Sequence, residues 1–283
     1  MNGMMIRKFS AGLLALVLLL TGCRAAQPPS AEHGLPETYD EALWLLAKEH
    51  GVAPSQEEES IIRAEALRDA ADLGEDVALL EKEYSRDLME QKLRDALFPD
   101  VYAEDTQVQE WYQARVSALE QAFEKDPGLF KSQQEGYDLY GGIPPLVIPE
   151  GYVRFSHILT SREETALQVW EALEAGQPFD TMLEQYGEDP GIREAPFAQV
   201  GYLAGPYPSA RDFMPELKEQ VLALEQPGEY SPVFSTGAGF HIVLLLEKQP
   251  GGTLPLEEVR EPITRLLTTA LRQEMLEQKI YGE

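Results

Sequence analysis

The chain has four histidines, at positions 33, 50, 157 and 241, and two of them interrupt apolar runs that read as strands. One run is "VRFSHILT" (153–160) and the other is "GFHIVLLL" (239–246). Imidazoles there could ligate a metal, transfer a proton or orient a polar group. A zinc site needs a third ligand, and no Asp or Glu stands at a spacing that supplies one. No metal is therefore expected. From the residues alone, two satisfied core histidines remain an open alternative to a working site.

The strand patterns are the elements that would position these rings. In the first, Val153, Phe155, His157 and Leu159 share a face, with Arg154, Ser156 and Ile158 on the other. In "SPVFSTGAGFHIVLLLEK" two strands are joined by a glycine-containing hairpin, with His241, Val243 and Leu245 on one face. Between them, Ser161 and Glu164 read as a capping box for a helix lined by Ala166, Val169, Trp170 and Leu173. "FDTMLEQYG" makes a second helix, a long loop covers 188–212, and "FMPELKEQVLAL" makes a third helix. The expectation is an α+β domain over 151–249, with element order β-α-α-α-β-β.

On either side the pattern is helical. Residues 38–133 show apolar positions at helical spacing, beginning with a Thr38/Glu41 capping box. His50 falls in a last helical turn, where a cation is favoured. Residues 135–152 are dense in Gly and Pro and read as a linker or rim, which completes a segment 38–150. After a break at "QPGGT", residues 254–283 carry one apolar stripe, with Pro262 expected to kink or divide the helix. Its natural partner is the N-terminal helical segment, so the α+β domain reads as an insertion between two parts of one helical domain.

The N-terminus carries Arg7 and Lys8, then a ten-residue apolar core, then Leu20-Thr21-Gly22-Cys23. That core is too short for a permanent span and fits an export signal over 1–22. Residues 20–23 resemble the lipobox of bacterial lipoproteins, which implies lipid attachment at Cys23 and an extracytoplasmic, membrane-anchored protein. Cys23 is the only cysteine, so internal disulfides are excluded. Residues 23–37, which include His33, read as a flexible tether. The net charge of −26 excludes phosphate backbones, and hence nucleic acid, as partners. A solute-binding lipoprotein is excluded by the lack of two α/β lobes.

The ordered pieces "HIL", "FDTMLEQYGEDPG", "FMPELKEQVLAL", "GEYSPV" and "FSTGAGFHIV" resemble the parvulin family of peptidyl-prolyl isomerases over about 152–248. With the lipobox and the flanking helices, the chain resembles extracytoplasmic foldases of the PrsA and SurA type. The resemblance implies that the histidine strands are neighbours in a small antiparallel sheet, with His157 and His241 meeting beside a substrate groove. It also implies Asp189 as an acidic groove residue, where the residues alone read a turn before Pro190-Gly191. Ser235 matches a hydroxyl in the histidine network. Leu203, Phe213 and Leu217 match apolar residues that hold the substrate proline, Leu217 standing where the family has a phenylalanine. The implied reaction is rotation about X–Pro bonds of unfolded exported polypeptides, which needs no cofactor. The alternative is a non-catalytic chaperone that keeps a parvulin-like peptide-binding module.

Overall fold

The computed structural model describes residues 38–209 and 212–282. The signal peptide, tether and Cys23 lie outside the described residues. Among those described, no helix is long and apolar enough to cross a membrane. The chain divides into two compact units, one comprising residues up to Gln107 together with Thr264 onward, the other Val108–Ile263.

The first unit is helical. Its helices are α1 (Tyr39–Glu49), α2 (Gln56–Leu73) and α3 (Val77–Leu97). Thr38 accepts the Glu41 N–H at the start of α1. A reciprocal capping box between Ser55 and Glu58 starts α2, and Gly74 ends it in the left-handed conformation at φ 70°. Asp76 caps α3 by accepting from the Ala78 and Leu79 N–H groups. The last helix of the chain, α10 (Leu256–Tyr281), returns to this unit, where Leu276 is buried in one cluster with Leu43, Ala47, Met89 and Leu93. The helix is a single element through Pro262 and is not divided there. Val259 and Ile263, on either side of that proline, are both buried, so packing of the apolar stripe outweighs the lost backbone hydrogen bond.

The second unit begins with α4 (Asp105–Lys125, from Val108) and α5 (Leu129–Tyr140). The Gly- and Pro-dense stretch from 135 is not linker throughout: α5 runs on to Tyr140 and stops at Gly141, whose φ is 71°. Next come β1 (Val147–Ile148), β2 (Val153–Thr160), α6 (Glu163–Glu174) and α7 (Phe179–Tyr186). A 3-10 turn at Gly191–Arg193, α8 (Phe197–Val200) and β3 (Tyr202–Ala204) occupy the stretch expected to be loop. The unit closes with α9 (Pro215–Ala223), β4 (Phe234–Thr236), β5 (Gly239–Lys248) and β6 (Gly252–Thr253). Strands β1 and β6 pair with each other, although "QPGGT" read as a break. Ser161 does not cap α6: its N–H and hydroxyl bond to Glu188 at 3.0 and 3.1 Å, and Arg162 is the N-cap residue.

The main sheet has the order β3-β2-β5-β4, all antiparallel, so the two histidine strands are its central pair. Both faces are covered. Val153, Phe155, Leu217, Val221, Val243 and Leu245 pack on one, while Ile158, Val169, Leu173, Phe179 and Ile242 pack on the other. Phe155 and Val243 share the histidine parity, so the rings emerge from the first face.

Candidate active site

His157 stands opposite Val243 and His241 opposite Leu159, which makes the histidines diagonal neighbours on one face. Their rings stack with centroids 5.4 Å apart at 25°, and their Nδ1 atoms are 3.3 Å apart. Phe234, opposite His241 on β4, stacks on that ring's other side at 5.4 Å and 18°. The histidines are 5% and 1% exposed.

Asp189 closes the constellation, with Oδ2 2.6 Å from His157 Nε2. The turn before the 3-10 segment holds it, because the Gly191 N–H donates to Oδ1 at 2.9 Å. The Tyr202 hydroxyl donates to Oδ2 at 3.1 Å. A Cβ at Gly191 would collide with that hydroxyl, so the turn needs glycine for the approach. Gly201 plays the same part at the start of β3: its φ is 72°, and a Cβ would lie 2.6 Å from the Phe155 carbonyl oxygen.

The hydroxyl hydrogen-bonded to His241 belongs to Thr236, with Oγ1 2.7 Å from Nε2, and not to Ser235. Ser235 stands opposite Phe240 and is exposed, whereas Thr236 has the parity of His241. A one-residue shift along a strand moves a side chain to the other face. The distances support one directed chain of hydrogen bonds. The Thr236 hydroxyl donates to His241 Nε2, His241 Nδ1–H to His157 Nδ1, and His157 Nε2–H to the Asp189 carboxylate. Burial and the neighbouring His157 push His241 down from 6.5 to about 4, so this ring is neutral at physiological pH. The hydrogen bond from His157, helped by the Gly191 N–H, holds the Asp189 carboxyl at about 2.

Beside these polar groups is an aromatic wall. Tyr202 lies 5.9 Å from Phe155, 5.6 Å from Phe213 and 4.9 Å from Phe197. Phe213 meets Phe155 edge-on at 5.1 Å, and both Tyr202 and Phe213 are half-buried and accessible to a ligand. Leu217 is 2% exposed, so it supports the floor behind Phe155 without presenting a surface. Leu203 is 0% exposed and stands opposite Arg154, on the side of β3 away from Tyr202. Tyr202, its neighbour, stands on the histidine side, with its ring 5.7 Å from that of His157. The structure thus brings together His157, His241, Asp189 and Phe213 and leaves Leu203 and Ser235 outside. It adds Tyr202 and Thr236, which alternation from Phe155 and Phe234 could have found once the pairing was known.

Residues 147–261 match the PPIC-type PPIase domain family, so the parvulin resemblance is borne out over the segment that contains the histidine pair. The chain is PrsA-like there. It is 34% identical to the foldase protein PrsA of Halalkalibacterium halodurans over 111 residues, 39% of this chain and 30% of that protein. It is 32% identical to foldase protein PrsA 4 of Bacillus cereus over 117 residues, 41% of this chain and 38% of that protein. The matched stretch thus spans little more than a third of these relatives at most. The crystal structure of the peptidylprolyl isomerase PrsA from Bacillus cereus aligns over 86% of this chain and 78% of its own, with a TM-score of 0.32 and 20% identity.

Proposed function

We propose that this protein is a peptidyl-prolyl cis-trans isomerase, tethered by a lipid on Cys23 to the outer face of the cell membrane, that assists the folding of exported polypeptides. The observation that carries the reading is the buried His157–His241 pair, tied to Asp189 and set beside the Tyr202–Phe213 wall.

The reaction breaks no covalent bond. Amide resonance sets a barrier of roughly 18–20 kcal/mol, and the twisted amide has lost that resonance. A groove that binds the twisted form better than either planar form lowers the barrier. In this reading the aromatic wall grips the proline ring and removes water from the amide, which disfavours the charge-separated planar form. Fully hydrogen-bonded, and with His241 neutral at physiological pH, the histidine chain is not built as a strong acid. Its part is to fix the local field and orient the carbonyl, with Asp189 anchoring the outer end. Clients are extended chains bearing X–Pro bonds.

A second reading, peptide binding without turnover, is favoured by the exposed apolar side chains of the helical unit, among them Trp44, Leu45, Leu67 and Leu79. Refolding of a denatured protein whose slow phase is X–Pro isomerisation separates the two. An isomerase accelerates that phase at substoichiometric amounts, and Tyr202→Ala abolishes the effect; a holdase slows or arrests refolding. Retention of Cys23→Ala in the membrane fraction would contradict the tether.

A further inference from the structure

Helix α5 lies outside the family-matched segment, yet it is built against the loop that carries Phe213. Tyr152, just before β2, bonds to the start of this helix, its hydroxyl donating to the Pro127 carbonyl at 3.0 Å and accepting the Lys131 N–H. Its ring packs on Phe130 at 4.7 Å and on Tyr207 of the Phe213 loop at 5.9 Å. The Pro208 carbonyl comes so close to Gly128 that no Cβ would fit. Lys218 secures the far side of the loop, donating to the Tyr207 carbonyl at 3.0 Å and to Asp212 at 2.7 Å. Further along α5, Asp138 makes a two-pronged ion pair with Arg154 of β2, at 2.5 and 2.9 Å, with both side chains buried.

In this setting Lys131 holds its ammonium 4.1 Å from the centre of the Phe213 ring. The residue is 3% exposed, and Glu135 lies 3.8 Å from it, one turn on. Burying an ammonium is costly, and a methionine of similar length would fill the same space without that cost. Burial lowers the Lys131 pKa, as expected for a charge kept against its desolvation penalty. Core packing alone gives no reason for a lysine here; the ammonium is held between Glu135 and the face of the Phe213 ring.

We infer that Lys131 is a positioning residue for the groove: its ammonium fixes the Phe213 ring so that the other face receives the substrate proline, making α5 part of the functional module. The inference rests on the reading of this groove as proline-binding.

The test is the Kd of an Ala-Ala-Pro-Phe peptide for the full chain, measured by NMR titration, with turnover read separately by exchange. Lys131→Met should weaken binding about fivefold, the equivalent of a cation–π contact of roughly 1 kcal/mol. The variant is made in a Glu135→Gln background, so that no half-buried carboxylate loses its cation, and there the melting temperature should stay the same or rise. Lys131→Arg should restore affinity, and Lys131→Met should have no further effect in a Phe213→Leu background. Three results would overturn the inference: a Kd within twofold of wild type, the same loss with Phe213→Leu already present, or a loss accompanied by a lowered melting temperature. Peptide binding without acceleration by the wild-type protein would overturn the isomerase reading alone, because the Kd is read without turnover.

Discussion

Acid should loosen the central strand pair in two separate windows, and the first belongs to His241. This ring, 1% exposed, has its pKa moved from 6.5 to about 4 by desolvation first and by the neighbouring His157 second, with Asp189 opposing. Between those values the unfolded chain takes up a proton that the folded chain refuses, so stability falls as pH drops. Above 6.5 neither state binds the proton, and below about 4 both do. The shift is worth about 3 kcal/mol across the window. Asp189 adds a second loss, since its depressed carboxyl stabilises the fold above its ordinary value of 3.8 and stops doing so as pH falls toward about 2. Because the chain forms two compact units, the loss has to be assigned to the strands of the second one. Native-state hydrogen exchange of the β2 and β5 amides, corrected for intrinsic rates, reads the local effect. Protection should drop by about 3 kcal/mol between pH 7 and pH 4 in the wild type and much less in His241→Gln. A His241 Cε1–H titration with a midpoint near 6, or an equal loss of protection in both proteins, would refute the reasoning.

Other substitutions separate neighbouring roles. Thr236→Val leaves His241 Nε2 buried without its partner and should cost about 1–3 kcal/mol, whereas exposed Ser235→Ala should change stability by less than about 0.5. Denaturant titration of the β5 resonances distinguishes them. Asp138→Ala strands the Arg154 guanidinium in the interior and should destabilise the second unit by about 3–5 kcal/mol. Replacing both partners with leucine should recover most of that loss in a thermal melt. Tyr202→Phe keeps the aromatic wall and removes one hydrogen bond from Asp189, so the Asp189 pKa should rise while peptide affinity stays within about twofold. A carboxyl NMR titration and a peptide titration check both halves.

Period-two alternation assigned His157 and His241 each to one face of its own strand, because long strands show their parity without a partner; that the two rings meet was implied by the parvulin resemblance, and the strand register brings them together. Short elements offered no such signal. Strand β3 is three residues long in a glycine-rich stretch, so its parity could not be set, and Tyr202 went unnoticed beside Leu203. The same one-residue ambiguity placed Ser235 where Thr236 belongs, since β4 is equally short. Glu188 drew Ser161 away from its expected cap, a tertiary contact that local spacing does not encode. Helix α5 was cut short in the reading because Gly136 and the Gly141-Gly142 pair mimic a linker, and with it went the ion pair that joins Asp138 to β2. The discontinuous helical unit was inferred from an unpartnered stripe on the last helix; Leu276 shares a cluster with Leu43 and Leu93, while the helical stretch from Val108 belongs to the other unit.

The central claim is that the groove beside the histidine pair accelerates rotation about X–Pro bonds. Two-dimensional exchange NMR on Ala-Ala-Pro-Phe peptide, with wild type, His157→Ala and Phe213→Ala, tests it most directly. Losing the charge-assisted hydrogen bond to Asp189 should slow His157→Ala by roughly 10- to 100-fold, and Phe213→Ala should lose acceleration through weaker binding. Cis–trans exchange at the uncatalysed rate in the presence of saturating wild-type protein would contradict the claim and leave a binding module in its place.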